Sequence, residues 1–201
     1  AHYMASKGIA KIGFRERRSG QLAELQGCEV LDPRVGEGLT RLGELVAATS
    51  LRARIPQIEV AATDRVAMVI RVLDPPTADD LERMRGFATE QQVDIYIQPA
   101  GPDSAEPLDP VPLPSFSPDG GSDRLHYRPT DFIQINGALS EAMVRQALDW
   151  LRPTAGDSVL ELFSGLGTFT APLAATGAQV TAVEGEAGLV ARGRANTEAL
   201  G

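Results

Sequence analysis

The run Val159-Leu160-Glu161-Leu162-Phe163-Ser164-Gly165-Leu166-Gly167-Thr168-Phe169 constrains the fold of this chain more than any other stretch. An apolar strand ends around an acid, opens into a glycine-rich turn and continues into a helix. Gly165 and Gly167 let the backbone pass close to a ligand where a Cβ would clash. About 20 residues on, Val180-Thr181-Ala182-Val183-Glu184 reads as a second apolar strand, again ending in an acid. Strand, glycine turn, helix and strand make the start of a Rossmann-like α/β sheet. A carboxylate closing the second strand suits the two hydroxyls of a ribose.

The turn also narrows the ligand. A dinucleotide fingerprint needs a third glycine, and Thr170 stands in its place. Glu161 adds a carboxylate that would repel a diphosphate. S-adenosylmethionine fits better, because it carries a ribose, a sulfonium and an amino group but no phosphate. For this segment taken alone, the alternative is an ordinary βαβ unit with a tight turn.

Upstream, Asp131-Phe132-Ile133-Gln134-Ile135-Asn136 precedes a helix expected from Ala138 to Leu151, with Met143, Val144, Ala147, Leu148 and Leu151 along one stripe. The loop from Arg152 to Asp157 leads into the glycine strand. Phe-Ile-Gln-x-Asn, a helix, then Glu-Leu-Phe-Ser-Gly-x-Gly: this order and spacing resembles the RNA uracil-5-methyltransferases, a class I family that uses S-adenosylmethionine. The likeness is close from Leu125 to Gly201. It extends loosely back through Gly13-Phe14-Arg15 and Cys28, where the chain looks like the central domain of the bacterial 23S ribosomal RNA branch.

The resemblance implies a fold and a site. The fold would be the start of a Rossmann-like class I methyltransferase domain plus a small α+β central domain. Gln134 would contact the cofactor, S-adenosyl-L-methionine. Phe163, Ser164, Gly165, Gly167 and Thr168 would wrap its methionine end, and Glu184 would hold the ribose hydroxyls. Ser164 stands where many members have Cys, a small-for-small change. Thr168 stands where some have Asn, which leaves its contact open. Without the resemblance, Gln134 satisfies strand backbone, Glu184 caps the next helix, and Phe163 and Phe169 belong to the core.

The same resemblance implies a reaction. Family members attack C6 of a uracil flipped from its stack, using a Cys thiolate in a Ser-Cys-Asn-Pro segment. That attack makes C5 nucleophilic toward the methyl group, and a base then removes the C5 proton. Neither that segment nor the Asp-Pro-Pro/Ala-Arg segment of the same late region occurs in these 201 residues. Cys28, the one cysteine, sits in Gln26-Gly27-Cys28-Glu29 and reads as a small hydrophobe. The expectation is a fragment, truncated at both ends, with no catalytic residue of its own and inactive alone. Self-association or low stability is expected through the unpaired apolar edge of the glycine strand. Two alternatives stand: a non-catalytic RNA- or partner-binding module with a remnant Rossmann unit, and a tRNA-directed uracil-5-methyltransferase.

Composition sets outer limits. Hydrophobic content of 43% and charged content of 23% are globular values. No stretch has the length of a membrane span, and the start lacks the apolar core of a signal peptide, so a cytoplasmic protein without membrane contact is expected. Relatives often carry an N-terminal RNA-binding barrel and a four-cysteine iron–sulfur segment, and neither is present here. His2 and His126 have no ligand-spaced partners, so no metal is expected. The net charge of −8 runs against an RNA-binding surface. The local exception is Arg15-Glu16-Arg17-Arg18-Ser19-Gly20, read as the tip of a hairpin between Lys7–Phe14 and Gln21–Leu25. Arg15, Arg17 and Arg18 are candidate RNA-phosphate contacts, with 23S ribosomal RNA the expected partner; a merely solvated tip is the competing reading. Arg52 and Arg54 are further candidates.

Segmentation follows composition. Residues 1–28 read as hairpin strands of the central domain. Residues 29–100 read as a small α+β unit with helices on one face of its sheet. Its expected elements are a helix from Val35 to Ala48, strands from Ile58 to Ala62 and Val66 to Leu73, a helix from Ala78 to Glu90 and a strand from Val93 to Ile97. Residues 101–123, rich in proline, read as a connector with no elements. Residues 124–201 read as the incomplete S-adenosylmethionine-binding domain, with Tyr127 and Phe132 alternating along an entering strand. Either aromatic could stack on a flipped base, although packing is the default.

Overall fold

The chain divides between Pro112 and Leu113 into two units. The computed structural model describes residues 2–6, 9–19 and 21–200.

In the first unit, strands β1 (His2–Ser6), β2 (Ile9–Arg15) and β3 (Leu22–Glu24) form an antiparallel meander. Two helices follow, α1 (Pro33–Gly36) and α2 (Leu39–Ala48). Then come β4 (Gln57–Ala62), β5 (Val66–Arg71), α3 (Ala78–Gln91), β6 (Asp94–Gln98) and β7 (Glu106–Pro107). All seven strands join one sheet in the order β3-β2-β1-β4-β5-β6-β7. The hairpin at the start therefore belongs to the same sheet as the strands after residue 29, with His2 opposite Gln57. Among the described residues of this sheet, only β5 and β6 pair in parallel, and α3 is their crossover.

β5 explains why the core sits where it does. Val66 to Ile70 are all buried, since β5 is a central strand covered on both faces. Val66, Met68 and Ile70 face the main cluster, which takes in Leu42 and Val46 of α2 and Met84 and Phe87 of α3. Ala67 and Val69 face the other way, against Tyr96, Ala105 and Val111. The helices lie on one face, but the other face is covered by the proline-rich segment. That segment is not the featureless connector expected at 101–123. It holds a short 3-10 turn (Pro102–Ser104) and β7, and it spans the division between the units. Proline is accepted there because β7 is an edge strand, where a missing N–H costs no ladder bond.

The helix expected from Val35 to Ala48 is broken in two. Asp32 caps α1 by accepting from the Arg34 backbone N–H at 3.0 Å, and Gly38 starts α2. Gly36 approaches the Cys28 carbonyl so closely that a Cβ would lie 2.3 Å from its oxygen. Continuity is lost where that contact is made. α3 starts as the sequence indicates, with Thr77 and Asp80 forming a reciprocal capping box.

In the second unit, β8 (Ser115–Phe116) and β9 (Leu125–His126) pair antiparallel. Helix α4 (Gly137–Leu151) follows, then β10 (Ser158–Leu162), α5 (Thr170–Ala175), β11 (Gln179–Val183) and α6 (Ala187–Leu200). β10 and β11 are parallel, with Glu161 opposite Ala182 and Leu162 opposite Val183. Val159, Glu161 and Val180 share the face that is half covered, whereas Leu160, Leu162 and Val183 share the exposed one. Residues 128–136 form turns and bends rather than the expected strand. Tyr127 is fully buried and packs edge-on to Phe116, while Phe132 is exposed. Of the stripe expected on α4, Val144 is buried and Met143 and Leu151 are exposed. Among the described residues, no helix is long and apolar enough to cross a membrane.

Candidate functional site

The glycine turn is built by backbone conformations that few side chains accept. Gly165 (φ +55°) and Gly167 (φ +92°) both occupy the left-handed region. The Gly167 N–H donates to the Ser164 carbonyl at 2.9 Å, and the Gly167 carbonyl accepts from Ala171 at 3.0 Å, leading into α5. The Ser164 N–H donates to the Val183 carbonyl at 3.1 Å, carrying the strand pairing one step past β10. Phe163 is also left-handed (φ +59°) and is 89% exposed. A bulky residue held so, with its ring in solvent, is strain of the kind that collects at ligand sites.

Glu184 closes β11 and reaches back to this turn. Its Oε2 accepts from the Gly165 N–H at 2.9 Å. Its Oε1 accepts from Gly185 at 2.7 Å and Glu186 at 3.0 Å. Hydrogen bonds from the Glu186, Gly165 and Gly185 backbones hold its carboxyl below the usual carboxylate range. The helix that follows is capped instead by Glu186, which accepts from Gly188 and Leu189 at 2.8 and 2.6 Å. A carboxylate has about four lone-pair sites, so Oε2 keeps capacity for one further donor.

Glu161 faces inward. It accepts the Thr170 hydroxyl at 2.6 Å, stitching β10 to α5, and burial pushes its carboxyl pKa up. The acid that suggested a cationic ligand thus has an internal partner, the same Thr170 that replaces a third glycine.

Ser164, Gly165, Gly167 and Glu184 line one cavity of about 310 Å³, whose polar wall is completed by Thr170, Arg194 and Thr197. Phe163, Thr168 and Gln134 do not line it. Gln134 is exposed on the loop between β9 and α4, and Asn136 caps α4 by accepting from Leu139 at 3.0 Å. Three residues not singled out from sequence anchor the surroundings: Asp131, Arg192 and Asn196. Their signal was available in part, since Arg192 and Asn196 stand four apart on one helix.

At the hairpin tip, Arg17 and Arg18 are exposed, and Arg18 is left-handed (φ +59°). Arg15 ends β2, and its side chain lies outside the described residues. Arg54 is engaged by Asp74 at 2.5 and 3.3 Å, which counts against a free phosphate contact there. Cys28 is half-buried in the first unit, packed on the main core. Among the described residues, no cluster of His, Cys, Asp and Glu is arranged to hold a metal ion.

Residues 121–200 match the sequence model of the tRNA (Uracil-5-)-methyltransferase family. The chain is 47% identical over 198 residues to a 23S rRNA (uracil(1939)-C(5))-methyltransferase RlmD from Alkalilimnicola ehrlichii, covering 96% of this chain and 44% of that protein. It is 42% identical over 201 residues to the protein of the same name from Burkholderia ambifaria, covering 98% and 43%. It thus spans less than half the length of these curated relatives. In structure it resembles a Pyrococcus abyssi tRNA (uracil-54, C5)-methyltransferase solved with S-adenosyl-L-homocysteine. The TM-score is 0.72 at 17% identity, covering 100% of this chain and 52% of that one. At that identity the likeness speaks for the fold alone.

Proposed function

Because the chain belongs to the RNA uracil-5-methyltransferase family, we propose that it carries the cofactor-binding part of an enzyme that methylates uracil C5 in 23S ribosomal RNA. The observation that carries this reading is the Gly165–Glu184 contact inside a polar cavity. It places a fixed, ionised acceptor beside two glycines whose backbone leaves room for a ligand. S-adenosylmethionine, when bound, supplies an electrophilic methyl on a sulfonium.

The residues present fit that ligand. Glu184 accepts a ribose hydroxyl on the free capacity of Oε2. The turn from Phe163 to Thr168 lies against the methionine end, and Gln134 approaches from the loop before α4. Arg15, Arg17 and Arg18, at the tip of the hairpin of the first unit, are the candidates to meet RNA phosphates. The 201 residues contain no Ser-Cys-Asn-Pro segment. Cys28 is half-buried and packs against the core of the other unit. These residues therefore bind and orient the cofactor and do not supply the nucleophile, and the chain alone is inactive on RNA. RNA of the 23S type is favoured over tRNA because the relatives that match along nearly all of this chain carry that substrate in their names, whereas the tRNA enzyme is a distant structural neighbour.

Calorimetric titration of the chain with S-adenosylhomocysteine tests the reading. Saturable binding that weakens at least tenfold in Glu184→Ala is expected, the loss of about one charge-assisted hydrogen bond. No heat at millimolar ligand, or an unchanged affinity in the variant, removes the cofactor-site assignment.

A further inference from the structure

Three segments far apart in sequence meet on one face of α6. Arg192 Nη2 donates to Asp131 Oδ1 at 2.5 Å. The Asp131 side chain is 5% exposed and that of Arg192 is 22%. The second oxygen of Asp131 accepts the Arg128 backbone N–H at 2.8 Å, and the Asp131 N–H donates to the Arg128 carbonyl at 2.8 Å. One helical turn on, Asn196 is buried. Its Oδ1 accepts the His126 N–H at 2.9 Å, and its Nδ2 donates to the His126 carbonyl at 3.0 Å. The side-chain amide thereby pairs with His126 as a neighbouring strand would. The same Nδ2 reaches the Leu166 carbonyl, within the glycine turn, at 3.3 Å. Between them, Gly193 sits so close to the turn that a Cβ would lie 3.0 Å from the Gly165 carbonyl oxygen.

Arg192, Gly193 and Asn196 share a helix face because residues three and four apart are neighbours there. One side of this clasp is the glycine turn, and the other is the segment from His126 to Asp131. That segment runs directly into the loop carrying Gln134, and the far end of the loop is fixed by Asn136 capping α4. Gln134 therefore hangs between two anchors, Asp131 and Asn136, and α6 ties the first of them to the glycine turn.

We propose that Asp131, Arg192 and Asn196 are positioning residues, which hold the Gln134 loop and the glycine turn at the separation the cofactor needs. The proposal rests on the cofactor-site reading given above. None of the three needs to touch the ligand. Arg192 uses Nη2 for Asp131, while its Nε is buried and finds no partner among the described residues. One ammonium therefore replaces the useful part of the guanidinium, so Arg192→Lys should keep the clasp and Arg192→Ala should break it. Breaking it leaves Asp131 buried without its cation, a costly state that the segment relieves by opening.

Amide hydrogen exchange on the 201-residue chain, read together with S-adenosylhomocysteine affinity, tests this. In Arg192→Ala the amides of Arg128 and Asp131 should exchange at least about tenfold faster while those of β10 and β11 keep their rates, and ligand affinity should fall about tenfold. Arg192→Lys should restore both. Asp131→Asn combined with Arg192→Ala should bind no worse than Arg192→Ala alone, because the two act through one contact. Unchanged exchange at Arg128 and Asp131 overturns the clasp. Faster exchange there with unchanged affinity overturns its positioning role. A Lys variant as impaired as the Ala variant does the same. If the unaltered chain binds no ligand, the cofactor-site reading fails, and the exchange rates still decide whether α6 holds the segment.

Discussion

The Gly165 N–H donates to Glu184 Oε2 at 2.9 Å, joining the glycine turn to the end of β11 across 19 residues of sequence. The contact fixes the carboxylate before any ligand arrives, so little is lost in ordering it on binding. It also keeps the acid ionised. Three backbone donors depress the pKa of Glu184 below its ordinary 4.5. A depressed carboxylate keeps its contribution above the ordinary value and loses it only as pH falls through the depressed one. S-adenosylhomocysteine affinity should therefore show no Glu184-dependent change from neutral pH down to the ordinary carboxylate range, and should fall only below it. Calorimetry at a series of pH values, with Glu184→Gln as the reference lacking that titration, checks this. A loss attributable to Glu184 that begins near neutrality would contradict the geometry.

Asp80 makes the same kind of prediction for stability. It is 2% exposed and accepts from the Ser50 N–H and hydroxyl at 2.8 and 2.6 Å, and from the Thr77 N–H and hydroxyl at 2.9 and 2.8 Å. Burial alone would raise its pKa, but these hydrogen bonds outweigh it and bring the carboxyl down to about 2, from 3.8. Its contribution is present above the ordinary value and disappears as pH falls from there toward 2. Asp80→Asn should cost about 2 kcal/mol at neutral pH, because donors that met a carboxylate now meet an amide. The gap between variant and unaltered chain should close on acidification. Denaturant melts at several pH values measure it, and a gap that widens in acid would refute the assignment.

The Rossmann-like βαβ unit was legible because Gly165, Gly167 and the strand-closing Glu184 announce themselves in a local pattern. α3 was legible for the same reason, since Thr77 and Asp80 stand at capping-box spacing. What escaped depended on distant contacts. The break between α1 and α2 comes from Gly36 meeting Cys28, which no helical periodicity records. The proline-rich segment covers a sheet face because Ala105 and Val111 find Tyr96 and Val69, and composition is blind to that. Around the site, Glu184 carried its own signal. Asp131 and Arg192 lie 61 residues apart, and their pairing shows only in the folded chain.

The Gly36 contact makes a sharp packing prediction. A methyl group there would sit 2.3 Å from the Cys28 carbonyl oxygen and 3.3 Å from that of Leu31. Both neighbours are backbone, so no side chain can swing away. Moreover, the Cys28 N–H donates to the Gly36 carbonyl at 3.0 Å, which binds the loop before α1 to the end of that helix. Gly36→Ala should destabilise the first unit by about 2 kcal/mol, in the range of overpacked cores. Gly86→Ala, on the open side of α3 with nothing within 4 Å, should be neutral or stabilising. Thermal melts of the two variants give the comparison, and equal effects would mean the close approach is relieved more easily than the geometry allows.

The exposed face of β10 and β11 should drive association. Leu160 is 64% exposed, Leu162 59% and Val183 47%, all on one side of a parallel pair. Among the described residues each of these strands pairs only with the other, so each also presents an open edge. Apolar area and free backbone donors on the same element favour strand addition by a second copy. We expect the 201-residue chain to show a mass that rises with concentration across the micromolar range in light scattering. Leu160→Asp places a charge on that face away from the cavity, so it should return the mass to the monomer while leaving S-adenosylhomocysteine affinity unchanged. A constant monomer mass for the unaltered chain, together with a cooperative melt, would show that this face is stable in water as it stands.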